Sequence, residues 1–211
     1  MPDTLTFYTN PMSRGRIARW MLEEVGAPYE TVVLDYGTTM KGADYLAVNP
    51  MGKVPAIRHG DTVVTEAAAI CAYLADAFPE SGLAPPPGDK LRGPYYRWLF
   101  FAAGPVEAAV TAKALGLLAP ADKAAMAGYG SFDTVIAALE TAIAPGPYIC
   151  GDRFTAADLY VGAQIGWGLM FGTMPKSPGF EAFYDRLKIR PAAIRANELD
   201  DALMPKQEVP A

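Results

Sequence analysis

The sequence predicts a mixed α/β domain followed by an all-helical one. Two observations predict it. Over residues 1–78, short β-prone runs alternate with runs of helical spacing and close on a hairpin; further along, apolar residues recur only at helical spacing. Between the two lies Phe78 to Asp89, FPESGLAPPPGD, with four prolines and two glycines. No helix continues through such a stretch, and Pro-Pro-Pro favours a stiff extended spacer. The expected organisation is a domain over 1–78, a linker over 79–89 and a helical domain over 90–211.

Each element has its own local reason. Leu5 to Tyr8 is a β-prone run. Arg14 to Val25 sets Ile17, Met21, Leu22 and Val25 on one helical face and runs into Gly26, a natural stop. Thr31 to Leu34, Val54 to Ile57 and Thr62 to Val64 read as strands, the last two joined by the turn His59-Gly60-Asp61. Glu66 to Phe78 reads as a helix. The order is β-α-β, a long loop, then β-β-α. The crossover implies parallel pairing and the hairpin antiparallel pairing, so the sheet is mixed. In the second part, Leu91, Tyr95, Trp98, Leu99 and Ala102 form one core-facing stripe, with Pro105 expected to kink or end that helix. Tyr129, Phe132, Ile136, Leu139 and Ile143 form another. Thr155 with Asp158 resembles a capping box that opens a helix at Ala156.

Composition removes several classes of function. The chain has 211 residues, 51% hydrophobic and 19% charged, enough for a sizeable core. Lys plus Arg is 18 against 23 Asp plus Glu, a net charge of −5, which argues against a nucleic-acid binder with a basic stripe. The most apolar stretch, Leu159 to Met174, is broken by Gln164 and four glycines and falls short of the roughly 20 apolar residues of a membrane span. Met1-Pro2-Asp3 shows no basic start followed by an apolar run, so a soluble cytoplasmic protein is expected. The two cysteines, Cys71 and Cys150, sit among apolar neighbours and read as small buried hydrophobes. The single histidine, His59, falls in a turn, so neither a zinc site nor a Ser-His-Asp triad has support, and no metal is expected. There is no Gly-x-x-x-x-Gly-Lys-Ser/Thr phosphate loop and no Cys-x-x-Cys.

Three features remain that carry chemistry. The first is Asn10-Pro11-Met12-Ser13, between the first strand and the first helix, where thioredoxin-like folds hold Cys-Pro-x-Cys. With both cysteines replaced, the junction still suits a thiolate brought by a ligand: a helix N-terminus favours negative charge and the Ser13 hydroxyl can donate to sulfur. A thiol of pKa near 9 must fall by about 2 units to ionise at neutral pH, which asks for roughly 2.7 kcal/mol. One charge-assisted hydrogen bond plus a helix terminus supplies about that. The structural alternative is an ordinary helix cap at Ser13. The second feature is Asn49-Pro50-Met51-Gly52-Lys53-Val54-Pro55-Ala56-Ile57. A cis Val54-Pro55 bond would turn the Val54 backbone outward to pair with a peptide-like ligand, although local statistics favour trans. Lys53 is suited to a carboxylate, or is simply solvated. The third is Thr65-Glu66-Ala67-Ala68-Ala69-Ile70, a second helix N-terminus suited to an α-carboxylate, with Glu66 beside it for an α-ammonium. Here the alternative is a Thr65 cap with Glu66 as a first-turn acid. A thiol partner, an extended backbone, a carboxylate partner and an amino-acid head-group site together make the inventory of glutathione.

These residues give the chain its resemblance to the cytosolic glutathione S-transferases. It is carried by Phe7-Tyr8 with Pro11-Met12-Ser13, Leu22-Glu23-Glu24-x-Gly26, Asn49-Pro50-x-Gly52-Lys53-Val54-Pro55-Ala56, Glu66-Ala67-x-Ala69-Ile70 and Gly151-Asp152-Arg153-Phe154-Thr155-x-Ala157-Asp158. The resemblance, closest to bacterial-type members with a serine-type site, implies a thioredoxin-like N-terminal domain, a helical-bundle C-terminal domain, a homodimer, a cis Val54-Pro55 bond and a role in detoxification. It implies glutathione as co-substrate, bound at Lys53, Val54, Pro55, Glu66 and Ala67, with Lys41 a further contact to the glycine carboxylate. A small apolar electrophile would sit against Met12 and the helical domain around Trp98, Phe101 and Pro105. Asp158 would be a structural cap.

For thiol activation, Ser13 in Pro-x-Ser looks like the serine of several classes, with Tyr8 next and Asn10 a third donor. No cysteine stands at 10 to 13, which argues against the cysteine-type transferases. One departure is Ala67, where the family commonly has serine. The expected function is conjugation of glutathione to an apolar electrophile. The alternatives are other glutathione chemistry (isomerase, dehalogenase, peroxidase or disulfide reductase) and a non-catalytic binding module.

Overall fold

A computed structural model describes residues 4–204 of the chain. Met1 to Asp3, where a leader was sought in the sequence, and the end of the helical domain from residue 205 lie outside the described residues. Two compact units form: residues up to Ser81 together with those from Arg190 onward, and Gly82–Ile189.

In the first unit, β1 is Leu5–Thr9, α1 Gly15–Val25, β2 Glu30–Val33, the short α2 Ala43–Leu46, β3 Ala56–His59, β4 Thr62–Thr65, and α3 Ala67–Ala77. The sheet order is β2-β1-β3-β4, with β1 and β2 parallel and the other two pairs antiparallel. The mixed sheet predicted from the element order is observed, in the thioredoxin-like arrangement that the resemblance implies. Strand β1 buries Leu5, Phe7 and Thr9 on alternate positions, and α1 buries Ile17, Met21 and Leu22. Gly26 ends α1 in the left-handed conformation, φ 73°, with its N–H on the Leu22 carbonyl at 2.9 Å.

Every element expected in this unit has at least one end a residue or two away from the sequence expectation, and two of these shifts have a clear local reason. Pairing in β3 starts at Ala56 rather than Val54, because Pro55 has no N–H to give; the Val54-Pro55 bond is cis, as the resemblance implies. Helix α3 starts at Ala67 rather than Glu66, because Glu66 has φ 64°.

The last helix, α9 (Pro191–Asp201), belongs to this unit and packs on α1 through ion pairs. Arg19 Nε meets Asp200 Oδ1 at 2.7 Å with both side chains buried (3% and 1% exposed). The Arg190 guanidinium grips Glu24 with two bonds of 2.6 and 2.7 Å.

The second unit is helical: α4 (Arg92–Phe101), α5 (Glu107–Ala114), α6 (Phe132–Ile143), α7 (Ala156–Phe171) and α8 (Pro178–Lys188). Pro105 is absorbed in a π-helical turn, Ala102–Val106, that links α4 to α5. Tyr95, Trp98, Leu99 and Ala102 of the first expected stripe are buried, as are Phe132, Ile136, Leu139 and Ile143 of the second; Leu91 and Tyr129, expected to open the two stripes, precede their helices, Leu91 exposed and Tyr129 half-buried.

Asp158 caps α7. Its Oδ2 accepts the Thr155 N–H and hydroxyl at 2.9 and 2.8 Å, and its Oδ1 accepts the Ile149 N–H at 2.6 Å. Burial pushes its carboxyl up to about 6 against the hydrogen bonds that favour the anion. The folded chain therefore holds this proton more tightly than the unfolded chain. The stabilising contribution is full below about pH 4 and is lost as pH rises through about 6. Each tenfold gain in proton affinity is worth about 1.4 kcal/mol, so the contribution is roughly 2–3 kcal/mol. Urea unfolding of the wild type and Asp158→Asn across this range should show the wild type losing stability relative to the variant as pH rises. Parallel pH profiles would reject the assignment.

Candidate functional site

Backbone register gathers the candidate residues at one end of the sheet. Tyr8 pairs with Ala56, and Ala56 with Thr65, so the end of β1, the start of β3 and the end of β4 lie abreast. The Asn10–Ser13 turn continues β1 at that end, Val54-Pro55 leads into β3, and Glu66 follows β4. Tyr8 and Val54 both pack against the cluster of Leu34, Met40, Tyr45 and Ala56. The three features picked out in the sequence are therefore one place.

The turn after β1 is heavily cross-braced. Asn10 donates from Nδ2 to the Leu34 carbonyl at 2.8 Å and accepts the Met12 N–H on Oδ1 at 2.9 Å. The Ser13 hydroxyl donates to the Asn10 carbonyl at 2.6 Å and accepts the Gly15 N–H at 2.9 Å. The Asn10 carbonyl also takes the Ser13 N–H at 3.1 Å. The backbone donors expected for a thiolate are thus partly spent inside the turn; the N-cap of α1 is Arg14, and Ser13 takes the N–H of the first helical residue on its hydroxyl. Its hydroxyl proton is nonetheless replaceable, because the Asn10 carbonyl keeps a second donor when the hydroxyl turns away. The bound Gly15 N–H also polarises the hydroxyl and makes it a better donor. The Tyr8 ring lies against Tyr45 at 5.6 Å, and its hydroxyl meets no hydrogen-bond partner among the described residues.

The loop before β3 is shaped by polar side chains that face its own backbone. Asn49 Nδ2 and the Tyr45 hydroxyl both donate to the Lys53 carbonyl, at 2.8 and 2.6 Å. Burial pushes the Tyr45 phenol up to about 12, which keeps it a donor at all ordinary pH. Lys41 Nζ donates to the carbonyls of Gly52 (2.7 Å) and Met51 (3.2 Å), so two of its three donors brace the loop rather than face a ligand. Gly52 has φ 56°, and a Cβ there would lie 2.9 Å from Lys41 Nζ and from the Met40 carbonyl. The Lys53 ammonium is exposed and has no partner among the described residues.

At the opening of α3, Glu66 is the one non-glycine residue with positive φ among the described residues. Such a conformation costs on the order of 1–3 kcal/mol, and strain of this kind collects at functional sites. The Glu66 carboxylate is exposed and has no partner among the described residues, and Ala67 presents the first N–H of the helix. Lys53, Glu66 and the Ala67 N–H are therefore free to meet the two ends of a zwitterionic ligand.

Comparisons with known proteins bear on the family and the fold. Sequence models of the glutathione S-transferase N-terminal and C-terminal domains match residues 12–77 and 107–186. A glutathione S-transferase of Escherichia coli O157:H7, GstA, is 30% identical over 190 residues, covering 86% of this chain and 89% of its own. The chain belongs to the glutathione S-transferase family. Among solved structures, a glutathione transferase from Methylococcus capsulatus superposes with a TM-score of 0.79 at 32% identity, covering 94% of this chain and all of its own (100%). A sphingomonad glutathione S-transferase complexed with glutathione superposes with a TM-score of 0.72 at 29% identity, over 93% of this chain and 98% of its own.

In this glutathione S-transferase chain, two site residues carry no clear signal in the sequence. Tyr45 lies in a four-residue helix too short to show a period. Gly15 looks like any helix-opening residue, yet a Cβ there would lie 2.0 Å from Thr9 Oγ1 and 2.9 Å from Ser13 Oγ, both buried. Gly15 is what lets α1 start so close to β1. Gly15→Ala should destabilise the fold by roughly 1–3 kcal/mol through overpacking, and should weaken glutathione binding by moving Ser13. Urea unfolding and a glutathione titration check both; an unchanged unfolding midpoint would contradict the close approach.

Proposed function

We propose that this transferase binds glutathione at the sheet end formed by Ser13, Val54 and Glu66, and ionises its thiol for attack on a small apolar electrophile. The observation that carries the reading is the contrast between spent and unspent polar groups. Asn10, Asn49, Tyr45 and Lys41 are committed to the backbone, whereas Lys53, Glu66 and the Ala67 N–H are not. The free groups match the ends of glutathione. Lys53 suits a carboxylate, with the third Lys41 donor in reserve for the glycine end. The Ala67 N–H and the α3 terminus suit the γ-glutamyl carboxylate, and Glu66 its ammonium. The residue leading into the cis Val54-Pro55 bond supplies the backbone that pairs with the cysteinyl unit.

Ser13 is the proposed activator. Its hydroxyl exchanges the Asn10 carbonyl for the sulfur, trading a neutral hydrogen bond for a charge-assisted one of about twice the strength. Tyr8 and Asn10 are the less favoured donors. The Tyr8 ring is held against Tyr45, and both ends of the Asn10 amide already have partners. The protein is inferred to act as a cytoplasmic homodimer, as its family membership suggests. Its role would be detoxification. Among the described residues no helix is long and apolar enough to cross a membrane.

Conjugation of glutathione to a generic aromatic halide tests the reading. Ser13→Ala should lower kcat on the order of 10²-fold, while Tyr8→Phe stays close to wild type. The opposite ranking would move activation to Tyr8, and absence of turnover in the wild type would reject the conjugation reading. Ala67→Ser restores a hydroxyl at the γ-glutamyl end. It should tighten glutathione binding by roughly 0.5–1.5 kcal/mol, about twofold to tenfold in Kd. Equal dissociation constants would show that Ala67 costs nothing.

A further inference from the structure

The Asn10–Ser13 turn is held from two directions. From the sheet side, Asn10 is tied to the Leu34 carbonyl. From the helix side, the Pro11 carbonyl accepts a hydrogen bond from Arg16 Nε at 2.6 Å. The same guanidinium donates from Nη2 to Asp201 Oδ1, also at 2.6 Å. A guanidinium is flat and its donors have fixed directions, so anchoring Nη2 sets where the Nε–H points. Arg16 alone would hold the carbonyl at the end of a long rotatable stem. Arg16 with Asp201 makes a two-point brace across 185 residues of chain.

We propose that Asp201, in the last turn of α9, is a positioning residue for the thiol site: it orients the Arg16 guanidinium, which holds the Pro11 carbonyl and with it the turn that carries Ser13. The inference rests on the glutathione site proposed above. Two further observations separate positioning from simple stabilisation. The Arg16–Asp201 pair is part-exposed (24% and 66%), and pairs of that kind add little to stability. Helix α9 is already anchored without it, by the buried Arg19–Asp200 pair and the two-bond grip of Arg190 on Glu24. Removing the Asp201 carboxylate therefore frees Arg16 while leaving the helix in place.

The experiment compares wild type, Asp201→Asn, Arg16→Lys and Glu24→Gln. The readouts are the pKa of the bound glutathione thiol, followed by the ultraviolet absorbance of the thiolate against pH, together with kcat, KM for glutathione and Tm. Charge alone predicts that removing the Asp201 carboxylate leaves a more positive site and lowers the thiol pKa. Positioning predicts the opposite sign. The expected result for Asp201→Asn is a rise of about half a pH unit and a kcat about threefold lower, with KM within about twofold of wild type and little change in Tm. Arg16→Lys, which keeps the charge but loses the flat fork, should move the thiol the same way. Glu24→Gln cuts a different α1–α9 pair and should lower Tm without moving the thiol pKa.

An unchanged or lowered thiol pKa in Asp201→Asn overturns the proposal. So does a rise of equal size in Glu24→Gln, which would mean general loosening of α9. Absence of any thiolate signal from glutathione with the wild type would instead reject the proposed glutathione site, and this inference with it.

Discussion

The candidate site depends on one row of backbone pairing, Tyr8 to Ala56 to Thr65. Three segments far apart in sequence leave the sheet from that row: the Ser13 turn, the Val54-Pro55 loop and the Glu66 helix start. Side chains alternate along a strand, so a slip of one residue would turn every strand-borne group to the other face. The hairpin sets the row from the opposite end. Gly60 turns at φ 57° and its N–H bonds to the Thr4 carbonyl at 3.1 Å, which fixes β3 and β4 against β1. A turn at the far end of the sheet thus determines which residues meet at the site.

Within the site, polar groups divide into two sets by what they already hold. Asn10, Asn49, Tyr45 and Lys41 satisfy carbonyls that would otherwise be stranded in irregular loops. They act as backbone for segments that have no secondary structure of their own. Lys53 and Glu66 hold nothing among the described residues, and Glu66 sits in a conformation an ordinary residue avoids. A site that spends some polar groups on its own shape and leaves others unpaired is preorganised, because the loops need not order themselves when the ligand arrives. Ser13 belongs to both sets. Its hydroxyl ties the Asn10 carbonyl to the Gly15 N–H, and that acceptor can be exchanged.

Much of this was legible in the sequence because the signals are local. The β-α-β and β-β-α order, the Gly26 stop, the Thr155–Asp158 cap and the two buried stripes of the helical unit each follow from spacing or a capping residue. The positions of Ser13, Val54-Pro55 and Glu66 were legible as motifs, and their assembly follows from the strand order. What stayed hidden is long-range or steric. Nothing near Arg16 or Arg19 announces that their partners stand at 201 and 200. Gly15 matters only because Thr9 lies against it, and Lys41 turns inward only because Gly52 leaves room. Pro105 reads as a kink or an end, and the structure ends α4 at Phe101 and carries the chain past the proline in a π turn that spacing does not announce.

The Arg19–Asp200 pair shows why α9 closes on α1 in one arrangement. Burying two charges is expensive, and this pair is only half satisfied: Arg19 Nη2 and Asp200 Oδ2 have no hydrogen-bond partner among the described residues. Burial pushes the Asp200 carboxyl up, against the pull of the Arg19 guanidinium. Two apolar side chains of similar size would hold the helices together at least as firmly. They would also tolerate sliding and rotation of α9, since apolar contact has no direction. The ion pair tolerates neither, because a displaced α9 leaves a bare charge on each side. Arg19 is itself oriented by its stack on Phe7, 5.1 Å from the ring centroid, and by the Tyr29 hydroxyl at 3.1 Å. Phe7 lies in β1, next to Tyr8, so the register of α9 is referred directly to the strand that leads into the Asn10–Ser13 turn. The energy lost in burying the pair is exchanged for a fixed rotation of the last helix, and that rotation sets Asp201 opposite Arg16.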